Sequence, residues 1–397
     1  MSIDPKGKAP PRVTLESLGV LQVVSPFPPA RDGIANYSKR LTEGLRNAGA
    51  TVIVTPVNRG VDIIKVLLKV ARLRPDVLRL EYAIATYGLA GIFLLVGLVG
   101  LRKQDSILTI NCHEVARETD RLGPVARALY RWLGMKCDRL YVHTQVSLRT
   151  LIDECGVIPD KVRMIPHGTS DFPVGFTSHE AERAYDLQGR EVVVFFGFIT
   201  VDKGIEDLVA AIHLVVTRNP IAREGLCVLI AGEVRRRRGV AKVFEWRDRR
   251  YWRHIVREIN RLGLAATIRA VGYVPDELVA PLLARARMVV MPYRSAEQSG
   301  VLNMAIAAGT PVVATSVGGL NEALADVGNL VPPCDPHALA DAIVTLLEDH
   351  GVYDETRRRY AQLHQAQSTK AVVRALADDL ASLVEWQRAT KSKVSRA

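Results

Sequence analysis

The segment PYRSAEQSGVLNMAIAAGTPVVATSVGG, residues 292–319, carries a pattern typical of one fold class. An apolar run ends at Tyr293, a polar loop carries Ser299 and Gly300, and an apolar helical stretch leads to the branched run 311–317. Strand, loop, helix and strand in this order are typical of a parallel α/β unit. The loop would place backbone N–H groups at the positive end of a helix dipole, where they can bind phosphate. An ordinary tight turn between strand and helix would show the same pattern.

A second segment, FFGFITVDKGIEDLVAAI at 195–212, repeats this arrangement. Lys203 and Gly204 stand where the helix is predicted to begin. The helix dipole favours an anion at that end, so a lysine there is not explained by the dipole. A ligand phosphate would explain it, and a solvated lysine is the alternative.

Similar apolar runs continue along the whole chain and alternate with helical stretches. Such runs are typical of buried parallel strands, and the alternation predicts two doubly wound α/β domains. The predicted strands are 18–26, 51–57, 77–82, 106–113, 139–144 and 162–168 in the first half, and 191–198, 226–232, 268–274, 288–293 and 311–317 in the second.

The length of 397 residues also favours two domains. A polar, turn-rich stretch interrupts the alternation near the middle, and helical segments end the chain. The predicted boundaries are a flexible arm at 1–17, a first domain at 18–172, a linker at 173–190, a second domain at 191–370, and a C-terminal helix with a basic tail at 371–397 that packs back on the first domain.

Several classes of protein are disfavoured by missing motifs. There is no GxGxxG and no Walker A motif, which argues against nicotinamide-dependent enzymes and P-loop NTPases. There is no Asp-x-Asp pair, so a bound diphosphate would be neutralised by lysine, arginine and backbone dipoles, and no metal site is predicted. The five cysteines show no CxxC spacing, which indicates free thiols in a reducing cytoplasm.

The start of the chain shows no apolar core of a secretion signal. The longest apolar run, 88–101, is shorter than the roughly 20 residues that cross a bilayer. We expect a buried helix there, or one that lies in a membrane surface.

The positive charge is concentrated in residues 235–261, which hold eleven basic and three acidic residues, a net +8 of the chain's +11. Arginine interleaved with aromatic residues fits an anionic membrane surface. Such a segment also fits a solvated helix. Nucleic-acid stacking is a third interpretation, but no nucleic-acid fold motif accompanies it. Basic residues flank two apolar stretches of the first half as well. The aromatic residues are Phe244, Trp246, Tyr251 and Trp252, and the first-half basic residues are Lys65, Lys69, Arg72, Arg74, Arg127, Arg131, Lys136 and Arg139.

Taken in order, these motifs resemble the retaining glycosyltransferases of the GT-B fold, glycosyltransferase family 4 (group 1), from about Leu18 to Leu347. That resemblance implies two Rossmann-like domains facing across a cleft. The segments that carry it are SPFPPARDGIANYSKRL (25–41), NCHE (111–114), IPHG (165–168), GFITVDKG (197–204), GYVPDELVAPLLARARMVVMPY (272–293) and VGGLNE (317–322).

The chain departs from the family pattern at the paired glutamates, whose positions hold Ala296 and Met304 here. The family's phosphate loop carries Gly-Arg where this chain has Gly197-Phe198, so the arginine is replaced by phenylalanine. The QSGV loop, 298–301, resembles a subgroup that uses these residues in place of the glutamates, and Glu297 is the expected substitute for the first of them.

The resemblance implies transfer of a hexose of mannose or glucose type from GDP- or UDP-hexose, with retention of configuration and without a required metal. The implied acceptor is a membrane-associated glycolipid or polysaccharide, so the protein would be peripheral on the inner face of the cell membrane. The implied catalytic residues are His113, Lys203 and Glu297, and the implied donor-binding residues are Gly33, Lys203, Glu233, Gly272, Tyr273, Val274, Gln298, Ser299, Gly300 and Val301.

Three other functions remain open at this point. Ala296 and Met304 suggest a non-catalytic glycosyltransferase-like partner or scaffold in a glycan assembly complex. A nucleotide-sugar epimerase can share the fold, and a nucleic-acid-binding role is the most remote alternative.

Overall fold

The structure, a computed structural model, divides the chain into two compact units. The first unit comprises residues 1–167 and 369–397, and the second comprises residues 168–368. The residues that the structure describes are 18–24, 27–28, 33–57, 62–88, 90–102, 106–169, 172, 175–218, 224–236, 242–327 and 329–394. The arm predicted at 1–17 lies outside them.

A six-stranded parallel sheet forms the centre of the first unit, in the order β2-β1-β3-β4-β5-β6. The order reverses between β1 and β3, as in a doubly wound sheet. All residues of β3 and β4 are buried, the polar Arg79, Glu81, Thr109 and Asn111 among them. The strands are β1 (Gly19–Val24), β2 (Thr51–Pro56), β3 (Val77–Tyr82), β4 (Ile107–Cys112), β5 (Arg139–Val142) and β6 (Val162–Met164).

Helices of the first unit pack on the sheet through apolar residues at helical spacing. In α2, for example, Ile63, Val66 and Val70 are buried. The helices are α1 (Gly33–Asn47), α2 (Asp62–Leu73), α3 (Ile84–Tyr87), α4 (Ala90–Leu101), α5 (Val115–Leu122), α6 (Pro124–Lys136) and α7 (Gln145–Arg149).

The second unit has its own six-stranded parallel sheet, in the order β12-β11-β10-β7-β8-β9. Here the order reverses between β10 and β7. The strands are β7 (Glu191–Phe196), β8 (Leu226–Ala231), β9 (Ile268–Gly272), β10 (Met288–Met291), β11 (Val312–Thr315) and β12 (Leu330–Val331). The helices are α8 (Ser178–Tyr185), α9 (Ile205–Arg218), α10 (Lys242–Arg261), α11 (Asp276–Arg285), α12 (Gly300–Ala307), α13 (Gly318–Leu324), α14 (Pro336–Glu348) and α15 (His350–Ala366).

The last helix, α16 (Thr369–Val394), belongs to the first unit. The carboxylate of Asp379 accepts hydrogen bonds from Arg139 Nε and Nη2 at 2.9 and 3.0 Å, and from the Tyr141 hydroxyl at 2.7 Å. Leu376 and Leu380 of the same helix are buried in the core with α1. The chain therefore returns to the first unit through both apolar and ionic contacts.

The stretch 173–190, predicted as a linker, contains α8, which packs against α11. Ala181 and Leu187 are fully buried, and Arg285 Nε lies 2.7 Å from a carboxylate oxygen of Glu182. The helix has only eight residues and one buried side chain, so its sequence shows almost no apolar periodicity. The boundaries between the units also fall at 167/168 and 368/369 instead of the predicted positions.

The apolar run 88–101 forms α4, of which only one side is buried, through Gly91, Leu94, Leu95 and Leu98. Across the described part of the chain, every helix is too short or too polar to span a bilayer.

Candidate functional site

The reversal of strand order in the second sheet brings the loops after β7 and β10 side by side. Ligands of doubly wound proteins bind outside the carboxyl ends of the strands at such a reversal. The loop after β7 contains Lys203, and the loop after β10 contains residues 298–301. The two predicted phosphate elements are therefore neighbours in the fold, although about 95 residues separate them in the sequence.

Glycines allow the loops at this edge to pack backbone against backbone. A Cβ on Gly204, which has φ of +60°, would lie 2.0 Å from the Pro292 carbonyl oxygen. A Cβ on Gly232, after β8, would lie 1.8 Å from the Gly197 carbonyl oxygen. Both positions exclude any side chain, because real Cβ contacts this short do not occur. The resulting contacts fix the loops that carry the predicted site.

Helix α12 begins in the loop after β10 with a capped N-terminus. Ser299 is the N-cap, and its hydroxyl accepts a hydrogen bond from the Leu302 N–H at 3.3 Å. The Asn303 N–H donates to the Ser299 carbonyl at 3.2 Å. The N–H groups of Gly300 and Val301 belong to the first turn of α12. N–H groups in a first turn have no carbonyl acceptor within their own helix. No acidic residue occupies the first turn, so an anion would meet no repulsion from the helix itself.

Lys203 ends a short 3-10 turn, Val201–Lys203, immediately before α9. Its Nζ lies 3.4 Å from the centroid of the buried Tyr293 ring, which is a cation–π contact. Tyr293 follows β10, so this contact joins the two loops through side chains as well. The lysine is thus held at the sheet edge by the protein itself, an explanation that the sequence did not suggest.

The positions of the paired glutamates lie beside the same loop. Ala296 and Met304 are partly buried and pack against the core of the second unit. Gly319 N–H donates to the Ala296 carbonyl at 3.0 Å, which anchors the backbone next to Glu297. The surroundings of Ala296 and Met304 are therefore apolar.

Other predicted donor-binding residues follow β8 and β9. The carbonyl of Glu233 accepts a hydrogen bond from the Ile199 N–H at 3.0 Å, so Glu233 adjoins the loop after β7. Gly272 ends β9, and the Tyr273 hydroxyl donates to Asp276 at 3.0 Å. Val274 is buried. Since β9 is two strands from β7, this group lies farther along the same edge.

The remaining predicted residues, Gly33 and His113, belong to the first unit. Gly33 is the first residue of α1, and His113 directly follows β4. His113 is buried, and its Nε2 lies 2.9 Å from a carboxylate oxygen of Glu81. Glu81 also receives hydrogen bonds from Arg79 and Asn111. The apolar pattern of the strands does not predict this network, although two charged residues in the buried run VLRLEY are a usable signal.

Two further histidines, His143 and His167, lie next to His113 and Tyr37. The ring centroids of His143 are 5.1 Å from those of His113 and Tyr37, and 5.2 Å from that of His167. His143 Nδ1 is 2.7 Å from the Ile165 carbonyl, so Nδ1 carries the proton and donates it. Burial lowers the pKa of His143 to about 3, and the nearby His113 adds to this effect. Burial also lowers the pKa of His167 well below its ordinary value.

This histidine group is not arranged as a metal centre. Among the described residues, no three or more histidine, cysteine, aspartate or glutamate side chains are placed so that they could hold a metal ion.

Comparisons with known proteins find a family match that lies within the second unit. Residues 190–349 match the family model of glycosyl transferases group 1. The chain is 33% identical over 237 residues to D-inositol 3-phosphate glycosyltransferase of Corynebacterium glutamicum strain R, covering 57% of this chain and 51% of the relative. It is 27% identical over 257 residues to mannosylfructose-phosphate synthase of Agrobacterium fabrum, covering 63% and 53%. The chain thus spans about half the length of these curated relatives.

Solved structures are similar over most of the chain. Anabaena HepE in complex with UDP-glucose superposes with a TM-score of 0.69 at 16% identity, covering 92% of this chain and 100% of that one. Sucrose-phosphate synthase of Thermosynechococcus elongatus superposes with a TM-score of 0.68 at 19% identity, covering 92% and 98%. This likeness confirms the predicted fold, two doubly wound parallel α/β sheets of the GT-B type.

The low pKa of His143 predicts a stability that depends on pH. The ordinary histidine pKa is about 6.5, so between pH 6.5 and 4.5 the unfolded chain takes up a proton that folded His143 refuses. Stability is therefore lost as the pH falls, by at most about 1.4 kcal/mol per pH unit for one group. His143→Asn keeps a hydrogen-bond donor for the Ile165 carbonyl but has no group that titrates in this range. Between pH 7 and 4.5 we expect this variant to lose about 2 kcal/mol less unfolding free energy than the wild type.

Urea unfolding at the two pH values measures this difference. His254→Asn, which changes an exposed histidine on α10, is the matched control and should unfold like the wild type. An equal loss of stability in His143→Asn and wild type would show that residue 143 is not a buried neutral imidazole.

Proposed function

We propose that the protein is a retaining glycosyltransferase that transfers a hexose of mannose or glucose type from a nucleotide-diphosphate sugar. The observation that carries the proposal is the convergence of Lys203 and the N-terminus of α12 at the strand reversal of the second sheet. The match of residues 190–349 to group 1 glycosyl transferases supports it independently.

The chemistry of the site favours a diphosphate leaving group. As the bond to the sugar breaks, negative charge grows on the phosphate oxygens. The Lys203 ammonium and the N–H groups of Gly300 and Val301 would stabilise that charge more strongly in the transition state than in the ground state, which is what accelerates a reaction. His113 is assigned a hydrogen bond to the transferred sugar, and Glu297 the role of the missing first glutamate.

The nucleoside part of the donor would be held less tightly than in proteins with both glutamates. The apolar Met304 offers no hydrogen bond to the ribose, which costs roughly 1.5–3 kcal/mol. The base would meet the backbone at Gly272, Tyr273 and Val274. UDP-hexose or GDP-hexose is the proposed donor, and we expect binding without a metal ion.

The donor proposal predicts a thermal shift. A nucleoside diphosphate at 100 times its Kd should add about 2.7 kcal/mol to the free energy of unfolding. Lys203→Met keeps the side-chain stem on Tyr293 but removes the charge, so the shift should largely disappear. UDP, GDP, ADP and their hexose conjugates, each with and without Mg²⁺, form the screen.

Lys370→Ala, which removes an exposed lysine of α16, is the control and should respond like the wild type. The absence of a shift with every nucleotide would favour the non-catalytic scaffold, a function that the apolar Ala296 and Met304 positions also fit. An equal shift in Lys203→Met would place the diphosphate elsewhere. If the nucleotide sugar binds but turns over without an acceptor into an isomer, the epimerase alternative gains support.

We further propose that the acceptor is a glycolipid or polysaccharide at an anionic membrane, with the protein peripheral on its cytoplasmic face. The first supporting feature is an exposed apolar face on the packed helices α2 and α4. Phe93 is 74% exposed and Leu68 is 66% exposed. Ile64, Ile92 and Val96 are exposed as well. Lys65, Lys69, Arg72 and Arg74 are exposed on or beside α2, so cations border the apolar face.

The second supporting feature is α10, which carries most of the basic segment 235–261. Its first turns expose Val243, Phe244 and Trp246 next to the exposed Lys242 and Arg247. Tyr251 and Trp252 instead contact the unit itself, Tyr251 by accepting a hydrogen bond from the Ile205 N–H at 2.8 Å. Arg237 and Arg238 lie outside the described residues. An apolar tip with flanking cations fits an anionic bilayer interface, where each basic residue contributes about 1 kcal/mol.

Membrane binding is tested by flotation with vesicles at low salt. Binding is expected with vesicles rich in phosphatidylglycerol, and little with pure phosphatidylcholine. Leu68→Ser with Phe93→Ser should weaken binding at least about tenfold, because two large apolar side chains no longer enter the bilayer.

Ile158→Ser with Met164→Ser, which changes exposed apolar residues elsewhere on the same unit, is the control and should bind normally. Failure of the wild type to float with anionic vesicles would overturn the membrane proposal and leave the donor proposal intact.

A further inference from the structure

The register of the first sheet builds a polar network inside an apolar core. Arg79 and Glu81 are two residues apart on β3 and therefore share one face. Gln22 of β1 pairs with Arg79, and Asn111 of β4 pairs with Glu81. His113, two residues beyond Asn111, continues on that face. Three neighbouring strands thus direct five polar side chains to one place.

Four donors converge on the carboxylate of Glu81. Arg79 Nε donates to Oε1 at 3.0 Å, and Gln22 Nε2 donates to the same oxygen at 3.5 Å. Asn111 Nδ2 donates to Oε2 at 2.6 Å, and His113 Nε2 lies 2.9 Å from Oε2. The side chains of Arg79 and Glu81 are at most 1% exposed.

Glu81 is ionised despite its burial. Burial by itself raises the pKa of this carboxyl, but the positive charge of Arg79 and the hydrogen bond with His113 outweigh it and hold the pKa at about 2. An ionised carboxylate can only accept hydrogen bonds. The nitrogen that His113 turns toward Glu81 must therefore carry a proton, in the neutral and in the charged imidazole alike.

The orientation of the His113 ring is fixed from two other sides. Its backbone N–H donates to the Tyr82 carbonyl at 3.0 Å. The Tyr37 ring of α1 packs at 83° to the imidazole, with the ring centroids 5.4 Å apart. Nδ1 makes no hydrogen bond to any described residue, so it is the ring atom that remains for a ligand.

We propose that Glu81 is a positioning residue, which commits His113 Nε2 to the protein and presents Nδ1 to a substrate hydroxyl group. This inference rests on the proposed function, which gives His113 a role at the transferred sugar. Neutral His113 then accepts a hydrogen bond through Nδ1, so its partner is a hydroxyl of the hexose or of the acceptor. A carbonyl or a phosphate oxygen, which can only accept, does not fit the neutral ring.

A purely structural role for the network is the competing explanation. A buried ion pair is a weak source of stability, because removing two charges from water offsets most of their attraction. Arg79 Nη1 is also buried with no hydrogen-bond partner among the described residues. An apolar pair would fill this place in the core at least as well, whereas only a carboxylate fixes the proton on Nε2.

The test is Glu81→Gln, in hydrolysis of the UDP- or GDP-hexose that the thermal screen selects. The Gln amide can donate to Nε2, which moves the imidazole proton to Nδ1 and removes the acceptor. We expect kcat to fall about 100-fold, as when one preorganised hydrogen bond to a reacting group is lost. The KM for the donor should stay within about threefold, because the groups proposed to bind its phosphates and base are unchanged.

Glu118→Gln is the matched control. Glu118 is another buried carboxylate of the first unit, which accepts hydrogen bonds from the Ile84 N–H and the Tyr130 hydroxyl. This variant should keep the kcat of the wild type. An equal kcat in Glu81→Gln and Glu118→Gln would overturn the proposal.

A second variant, Arg79→Met with Glu81→Gln, separates a loss of folding from a loss of positioning. This double variant leaves no buried charge unpaired. It should fold and remain as slow as Glu81→Gln; recovery of kcat would show that the single variant was only misfolded.

Imidazole nitrogen NMR should find the proton on Nε2 in the wild type and on Nδ1 in Glu81→Gln. The signals of His113 are identified as those that disappear in His113→Gln. A proton on Nδ1 of neutral wild-type His113 would contradict the proposal directly. If the wild type hydrolyses no nucleotide sugar, the proposed function fails, and the NMR result alone decides whether Glu81 positions His113.

Discussion

The absence of a side chain at Gly204 is the constraint on which the candidate donor site depends. A Cβ there would lie 2.0 Å from the Pro292 carbonyl, so the loops after β7 and β10 pack together only with glycine at this position. That contact holds the loop of Lys203 against the loop that leads into α12, and Lys203 Nζ lies over the Tyr293 ring. The loop of Lys203 and the loop before α12 meet at the strand reversal because their backbones can approach this closely.

The two units use doubly wound parallel sheets of different strand order for different chemistry. The second unit presents a cation and backbone N–H groups at its strand reversal, which suits an anionic ligand. The first unit places Arg79 and Glu81 on β3 and His113 directly after β4, and the three form a buried network that ends in one imidazole. A diphosphate needs many positive dipoles, whereas a single sugar hydroxyl needs one well-oriented partner.

Much of this architecture could be predicted from the sequence because it is local. Buried parallel strands appear as continuous apolar runs, and the structure contains a strand within each predicted run. The strand–loop–helix form of the two predicted phosphate elements is also local, since each combines a strand, a loop and a helix start in adjacent residues. The short β12 and the helix α8 were missed because neither is long enough to show a period.

Contacts between distant residues could not be predicted in this way. Glu81 meets Asn111 and His113 only through the register of β3 with β4, and Lys203 meets Tyr293 only through the strand order of the second sheet. The departures at Ala296 and Met304 were visible in the sequence, but their packing against the core was not. Sequence patterns thus proposed the candidate residues, and the fold supplied their neighbours.

The most direct measurement of the central claim is a crystal structure of the full chain with its tightest-binding nucleoside diphosphate. We expect phosphate oxygens within about 3 Å of the Gly300 and Val301 nitrogens and of Lys203 Nζ. A diphosphate bound away from the loops after β7 and β10, with Lys203 still on Tyr293 and α12 uncontacted, would contradict it.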